Sequence, residues 1–220
     1  MKFKIALIKC LFVSILVYAG QISAQHIKEG VKLSHYVFNE FAGGTVKMKS
    51  GEKYIQILNY NIVTGEMIFN NEGKFLAIAN PENVDTIYIN NRRFIPLNAK
   101  FYEVLVNTNM PLLLEFTSTI NEPGVSIGYG AESKTTASQS MNSLISTGGA
   151  YDLKLPDGFT VTPGYSYWIM KEGKLEKAGS AKQLIKIFPD KKDVINDYVN
   201  KYHTNFSKRE DIIILVQQIE

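Results

Sequence analysis

Gly124-Val125-Ser126-Ile127-Gly128 has the G-x-S-x-G spacing of a nucleophile elbow, in which a sharp strand-to-helix turn exposes a serine hydroxyl to a histidine base. Asp197 and His203 follow in the chain order of an α/β hydrolase triad. The surroundings argue against that chemistry. The motif follows runs that read as antiparallel hairpins and opens a Gly/Ser-rich stretch, where a five-residue match arises easily. A small serine hydrolase with Ser126 is therefore only the second alternative, and the expectation is a protein without catalytic residues.

The other reactive side chains are sparse. His26, His35 and His203 are the only histidines, and none stands at the close spacing of a metal-binding pair. Neither a metal nor a cofactor is expected. Glu82, Asp85, Glu103, Asp190, Asp193 and Asp197 supply carboxylates, but glycoside hydrolysis needs two acids facing each other across a cleft, which spacing does not reveal. Tyr165, Tyr167 and Trp168 form an aromatic cluster suited to stacking on sugar rings. On a strand Tyr165 and Tyr167 share one face and Trp168 takes the other. Arg92-Arg93, beside Asn90-Asn91, offers two guanidinium groups to an anion, set against the plainer reading of a solvated hairpin tip. Asp85-Thr86-Ile87 matches the short acid-hydroxyl-aliphatic acceptor of bacterial O-glycosylation, and a strand start explains it equally well.

These residues must be positioned by a chain of 220 residues, 45% hydrophobic and 20% charged, with one cysteine and a formal charge of +3. Lys2, Lys4 and Lys9 begin the chain, an apolar run spans 10–19, and Ile22-Ser23-Ala24 makes a small-residue exit. This is the pattern of a secretory signal cleaved after Ala24. The apolar run is too short to span a bilayer comfortably. Setting those three lysines aside leaves 21 bases against 21 acids, so the rest is formally neutral and gives no electrostatic reason to bind nucleic acid. It also lacks cysteine, since Cys10 lies in the leader, which excludes disulfides and zinc-thiolate sites.

From 34 to 119, short Val/Ile/Tyr/Phe/Thr-rich runs are separated by turn pairs at Ser50-Gly51, Thr64-Gly65, Glu72-Gly73 and Asn90-Asn91. Links this short favour antiparallel pairing. Residues 121–150 are rich in Gly, Ser and Thr and read as a long loop. Strands resume around 151–155, 159–161 and 165–170. After Gly179 the apolar period shifts to 3.6. Ser180 with Gln183 and Ser207 with Glu210 have capping-box spacing, so three C-terminal helices are expected. The expected fold is α+β: a predominantly antiparallel meander over 25–179, as a sandwich or open barrel, with a helical segment over 180–220.

Thr64-Gly65-Glu66-Met67-Ile68-Phe69, Val84-Asp85-Thr86-Ile87-Tyr88-Ile89-Asn90, Phe94-Ile95-Pro96-Leu97, Phe101-Tyr102-Glu103-Val104-Leu105, Tyr167-Trp168, the stretch 184–190 and the final helix together resemble a family of small exported proteins, uncharacterised in activity, from outer-membrane bacteria whose envelopes carry large protein complexes. The resemblance implies an envelope protein, periplasmic, outer-membrane-associated or secreted, and supplies no catalytic residue. The functional expectation is a non-enzymatic protein that binds another envelope or outer-membrane protein. The alternative is a glycan-binding module using Tyr165, Tyr167 and Trp168.

Overall fold

The computed structural model describes residues 33–121, 123, 125–127, 131–133, 146–147 and 150–219. The expected signal segment 1–24, His26 and most of 121–150 lie outside these residues. Fourteen strands are described: β1 Ala42–Met48, β2 Lys53–Asn61, β3 Glu66–Asn71, β4 Lys74–Ala77, β5 Val84–Ile89, β6 Arg92–Leu97, β7 Lys100–Val106, β8 Leu112–Asn121, β9 Val125–Ile127, β10 Ala131–Ser133, β11 Ser146–Thr147, β12 Ala150–Tyr151, β13 Thr160–Lys171 and β14 Lys174–Lys177. Three helices close the chain, α1 Ala181–Ile187, α2 Lys192–Tyr202 and α3 Arg209–Ile219. None of the described helices is long and apolar enough to cross a membrane.

Ten strands form one antiparallel sheet in the order β14-β13-β8-β7-β6-β5-β1-β2-β3-β4. It is two meanders fused at the β5–β1 pair. The chain opens in the middle of the sheet, runs out to β4, and returns through a 3₁₀ turn at Pro81–Asn83 to the free edge of β1. Four hairpin turns owe their geometry to backbone with φ > 0 at both central residues, the type I′ requirement. Glu72-Gly73, Asn90-Asn91 and Glu172-Gly173 meet it, as does Asn98-Ala99. Alanine at φ 65° carries a Cβ penalty that glycine would avoid, and so this turn has only Asn98, half of the usual signature, to mark it in the sequence.

The sheet curls over its own core. The turn after β2 lies across β7: Phe101 donates its backbone N–H to the Gly65 carbonyl at 3.1 Å, and the Tyr60 hydroxyl donates to the Phe101 carbonyl at 2.9 Å. Leu58, Tyr60, Met67, Phe94, Phe101, Leu112, Leu114 and Ile169 fill the concave side. Gly44 permits the curl, because a Cβ there would stand 2.6 Å from the Tyr88 carbonyl oxygen. The sheet is thus open and strongly curved, with one end of its concave face covered by the helices.

Those helices spend their apolar stripes on the same core. Leu184, Ile187, Ile195, Ile212, Leu215, Val216 and Ile219 are all buried in it. The first capping box forms with a shift of one residue: Ser180 Oγ accepts from the Gln183 N–H at 3.3 Å, while Gln183 Oε1 accepts from the Gly179 N–H at 2.8 Å. The second does not form. Asp211 takes the N–H of Asn205 and Asn205 takes that of Ser207, because α3 begins only at Arg209. The expected strands at 159–161 and 165–170 are one, β13, running through Pro163. That proline sits where β13 pairs only with β8, so its missing N–H leaves no ladder partner unsatisfied.

Candidate functional site

The concave face carries one charged cluster. Phe101 and Glu103 alternate on β7, and since Phe101 belongs to the core, Glu103 must face it too. A carboxylate there needs partners, and it has two. Arg92 donates from Nε to Oε1 at 2.8 Å and from Nη2 to Oε2 at 2.5 Å. Arg209 donates from Nη1 to Oε2 at 3.0 Å and from Nη2 to Oε1 at 2.5 Å. The Glu103 side chain is 1% exposed, against 24% and 35% for Arg92 and Arg209. Both contacts are bidentate, the strongest geometry available to a guanidinium. The Arg92 guanidinium carbon also lies 5.0 Å from the Phe38 ring centre, 5.3 Å from Phe116 and 5.5 Å from Phe94, within cation–π range. This clasp fastens the first turn of α3 to the sheet.

A cleft of about 420 Å³ opens beside the clasp. Its floor is Arg92, Leu114, Phe116, Tyr165 and Tyr167, one wall is Tyr36, Val37 and Ile62, and the other is 207–210 at the start of α3. A second chamber of about 400 Å³ shares Tyr165, Tyr167 and Ser207 and extends toward Lys177, Gln183 and Phe206. Both volumes fall in the range of small-molecule seats. Tyr165 is 55% exposed, its ring set edge-on by Phe116 at 5.7 Å. Tyr167 is buried, and burial raises its hydroxyl pKa while the nearby Arg209 charge opposes the rise.

The residues singled out from sequence separate cleanly. Tyr165, Tyr167 and Arg92 converge on the cleft. Trp168 lies on the opposite sheet face, donating Nε1–H to Glu115 Oε2 at 3.0 Å under Lys177, and Lys100 pairs with the other oxygen of Glu115 at 2.9 Å. Trp168 takes no part in the cleft. Arg93 also faces outward, beside Tyr88 in register and near the Lys47–Asp85 pair. Arg92 and Arg93 therefore do not act together, because consecutive strand residues point to opposite faces. The structure does build an arginine pair around a carboxylate, from Arg92 and Arg209, which no sequence spacing connects. The legible signal was Glu103, a charge on the core side of an apolar strand.

The hydrolase pattern finds no support in its local backbone. Val125–Ile127, holding Ser126, is a strand paired antiparallel with Ala131–Ser133, whereas an elbow turns from a strand into a helix. The Ser126 side chain lies outside the described residues. His203 closes α2 in a left-handed conformation at φ 49°. Glu103 is saturated by its arginines, which removes it from the pool of acid catalysts. Thr86 is only 3% exposed, in a central strand, with its hydroxyl donating to Asp85, and the folded chain offers no access for glycosylation there. Among the described residues no group of three or more His, Cys, Asp or Glu stands together as metal ligands do.

His35 is more deeply set than its place in the sequence suggests. It is fully buried, tilted against Tyr36 at 4.5 Å between ring centres. Burial pushes its pKa below the usual histidine value, with the neighbouring Asp152 opposing.

Comparison of the chain with protein-family models, with curated proteins and with solved structures returned no match.

Proposed function

We propose that the protein works by binding, in the cell envelope after export, and that the cleft at Tyr165 and Tyr167 seats a saccharide. The observation that carries this reading is the half-exposed ring of Tyr165, on the floor of a cleft whose remaining lining mixes hydrophobic and hydrogen-bonding groups. Aromatic rings offer an apolar face to the C–H side of a sugar, and arginine and serine groups at the rim suit its hydroxyls. Isothermal titration against a panel of envelope oligosaccharides tests it. At least one should bind saturably, and Tyr165→Ala should weaken that binding about tenfold or more, since base–aromatic stacking of comparable area contributes about 1–3 kcal/mol. A panel without binding would remove the reading.

A protein partner is the second reading, and a different surface favours it. The outer sheet face exposes Ile55 (83%), with Ile57 and Tyr88 close by. These lie in adjoining rows of β2, β1 and β5, where Thr45 pairs with both Ile55 and Tyr88. Large apolar groups grouped on one face commonly mark an interface. The apolar stripe of α3 does not contribute to such a surface, because it is buried within the chain. Cross-linking the tagged chain in native envelopes should place links at this face, and recovery of the chain alone would count against a partner.

A further inference from the structure

We infer that the ligand seated at Tyr165 is an acidic saccharide, one whose sugar ring bears a carboxylate; this rests on the saccharide reading of the cleft. The argument is the charge balance of the lining. Arg92, Lys208, Arg209 and Glu210 line the first chamber, with Glu103 buried behind the two arginines. Three cations against two carboxylates leave that chamber with one excess positive charge, in a chain whose residues 25–220 are formally neutral.

Glu103 does not cancel the pair it binds. One carboxylate sits between two guanidinium groups, and each of them gives it two hydrogen bonds. A guanidinium carries five N–H donors, so each retains unspent donors and the cluster keeps one positive charge. No second carboxylate is bonded to Arg92 or Arg209 among the described residues. The clasp also holds these groups rigid, with Arg92 inside three aromatic rings. A cation fixed in advance binds an anion without paying for its own ordering. Lys208 is exposed at the rim, placed to meet the anionic group of a ring that rests on Tyr165.

A carboxylate suits the site because the same guanidinium pair already receives one in planar, bidentate fashion. A phosphate on the sugar would answer the same excess charge, and the probes below separate the two. A ligand without charge leaves Lys208 with no role in the cleft.

The test is a titration of the full mature chain with three probes: trigalacturonate, its carboxyl-reduced neutral trisaccharide, and a hexose 6-phosphate. The inference expects trigalacturonate to bind at least about tenfold more tightly than the neutral trisaccharide at low salt. That preference should shrink as sodium chloride rises, as exposed charge contacts are screened. Lys208→Gln should reduce the acidic-to-neutral ratio severalfold, with circular dichroism and the unfolding midpoint confirming that the variant folds. Equal affinity for acidic and neutral probes would overturn the acidic assignment and leave the saccharide reading standing. Tighter binding of the hexose phosphate than of trigalacturonate would overturn the carboxylate. Binding of none of the three, alongside no hit in the wider oligosaccharide panel, would overturn both.

Discussion

Replacing Glu103 by glutamine should unfold this protein more readily than any other conservative change on its concave face. Glutamine keeps the side-chain shape but removes the charge that two guanidinium groups share. Of four hydrogen bonds between charged partners, at 2.5 to 3.0 Å, at best two would survive, to a neutral amide oxygen, and the positive charges of Arg92 and Arg209 would be left uncompensated. Removing one partner of a buried ion pair costs about 3–5 kcal/mol. Arg92 and Arg209 retain some contact with water, which places this site near the lower end, at about 3 kcal/mol. For a chain of this size each kcal/mol lowers Tm by roughly 2–4 °C, so the loss is roughly 6–12 °C. The assay is thermal and urea unfolding followed by far-UV circular dichroism. Arg209→Met should cost less, because it leaves the compensated Arg92–Glu103 pair in place. The double variant should be less destabilised than the sum of the singles by about 1 kcal/mol or more, the coupling expected of residues in contact. A Glu103→Gln protein within about 0.5 kcal/mol of wild type would refute the idea that the clasp holds α3 to the sheet, since changes that small are typical of ordinary surface sites.

Gly44→Ala should be strongly destabilising, by roughly 1–3 kcal/mol, since its Cβ meets the Tyr88 carbonyl oxygen, whereas Gly43→Ala meets nothing within 4 Å; paired urea midpoints check the contrast. Ser180→Ala removes the α1 cap and should cost about 1 kcal/mol, read by the same denaturation. Stability should fall on acidification below the usual histidine pKa of about 6.5, because the buried His35 ring has a lowered pKa in the folded chain and the unfolded chain then binds the extra proton. Above that pH its contribution is fully present, and His35→Phe should flatten the loss between pH 7 and pH 5 in midpoint measurements.

The meander and its turns were legible because local chemistry determines them. Gly or Asn occupies the second left-handed position in three of the four type I′ turns, and period-two apolar runs mark the strands between them. Asn98-Ala99 escaped because alanine adopts that backbone only when the strands on either side impose it. Strand order was not legible: the return of β5 to β1 is a contact between segments about forty residues apart, with nothing local to announce it. The apolar stripe of α3 was visible, but whether such a stripe covers its own sheet or a partner depends on the tertiary fold, and here it covers the sheet. Alternation on β13 correctly separated Tyr165 and Tyr167 from Trp168. The same rule separates Arg92 from Arg93, and the guanidinium that does join Arg92 comes from Arg209 at the far end of the chain. A side chain's partner across such a distance is set by the packing of α3, which no spacing encodes.

The central claim, that the cleft between the sheet and the start of α3 is where this protein binds, is tested most directly by an amide chemical-shift titration with trigalacturonate. Saturable shifts concentrated at Tyr165, Tyr167, Ser207 and Lys208, and lost in Tyr165→Ala, are the predicted result. Shifts that are absent, or that gather instead on the outer face around Ile55 and Tyr88, would contradict it.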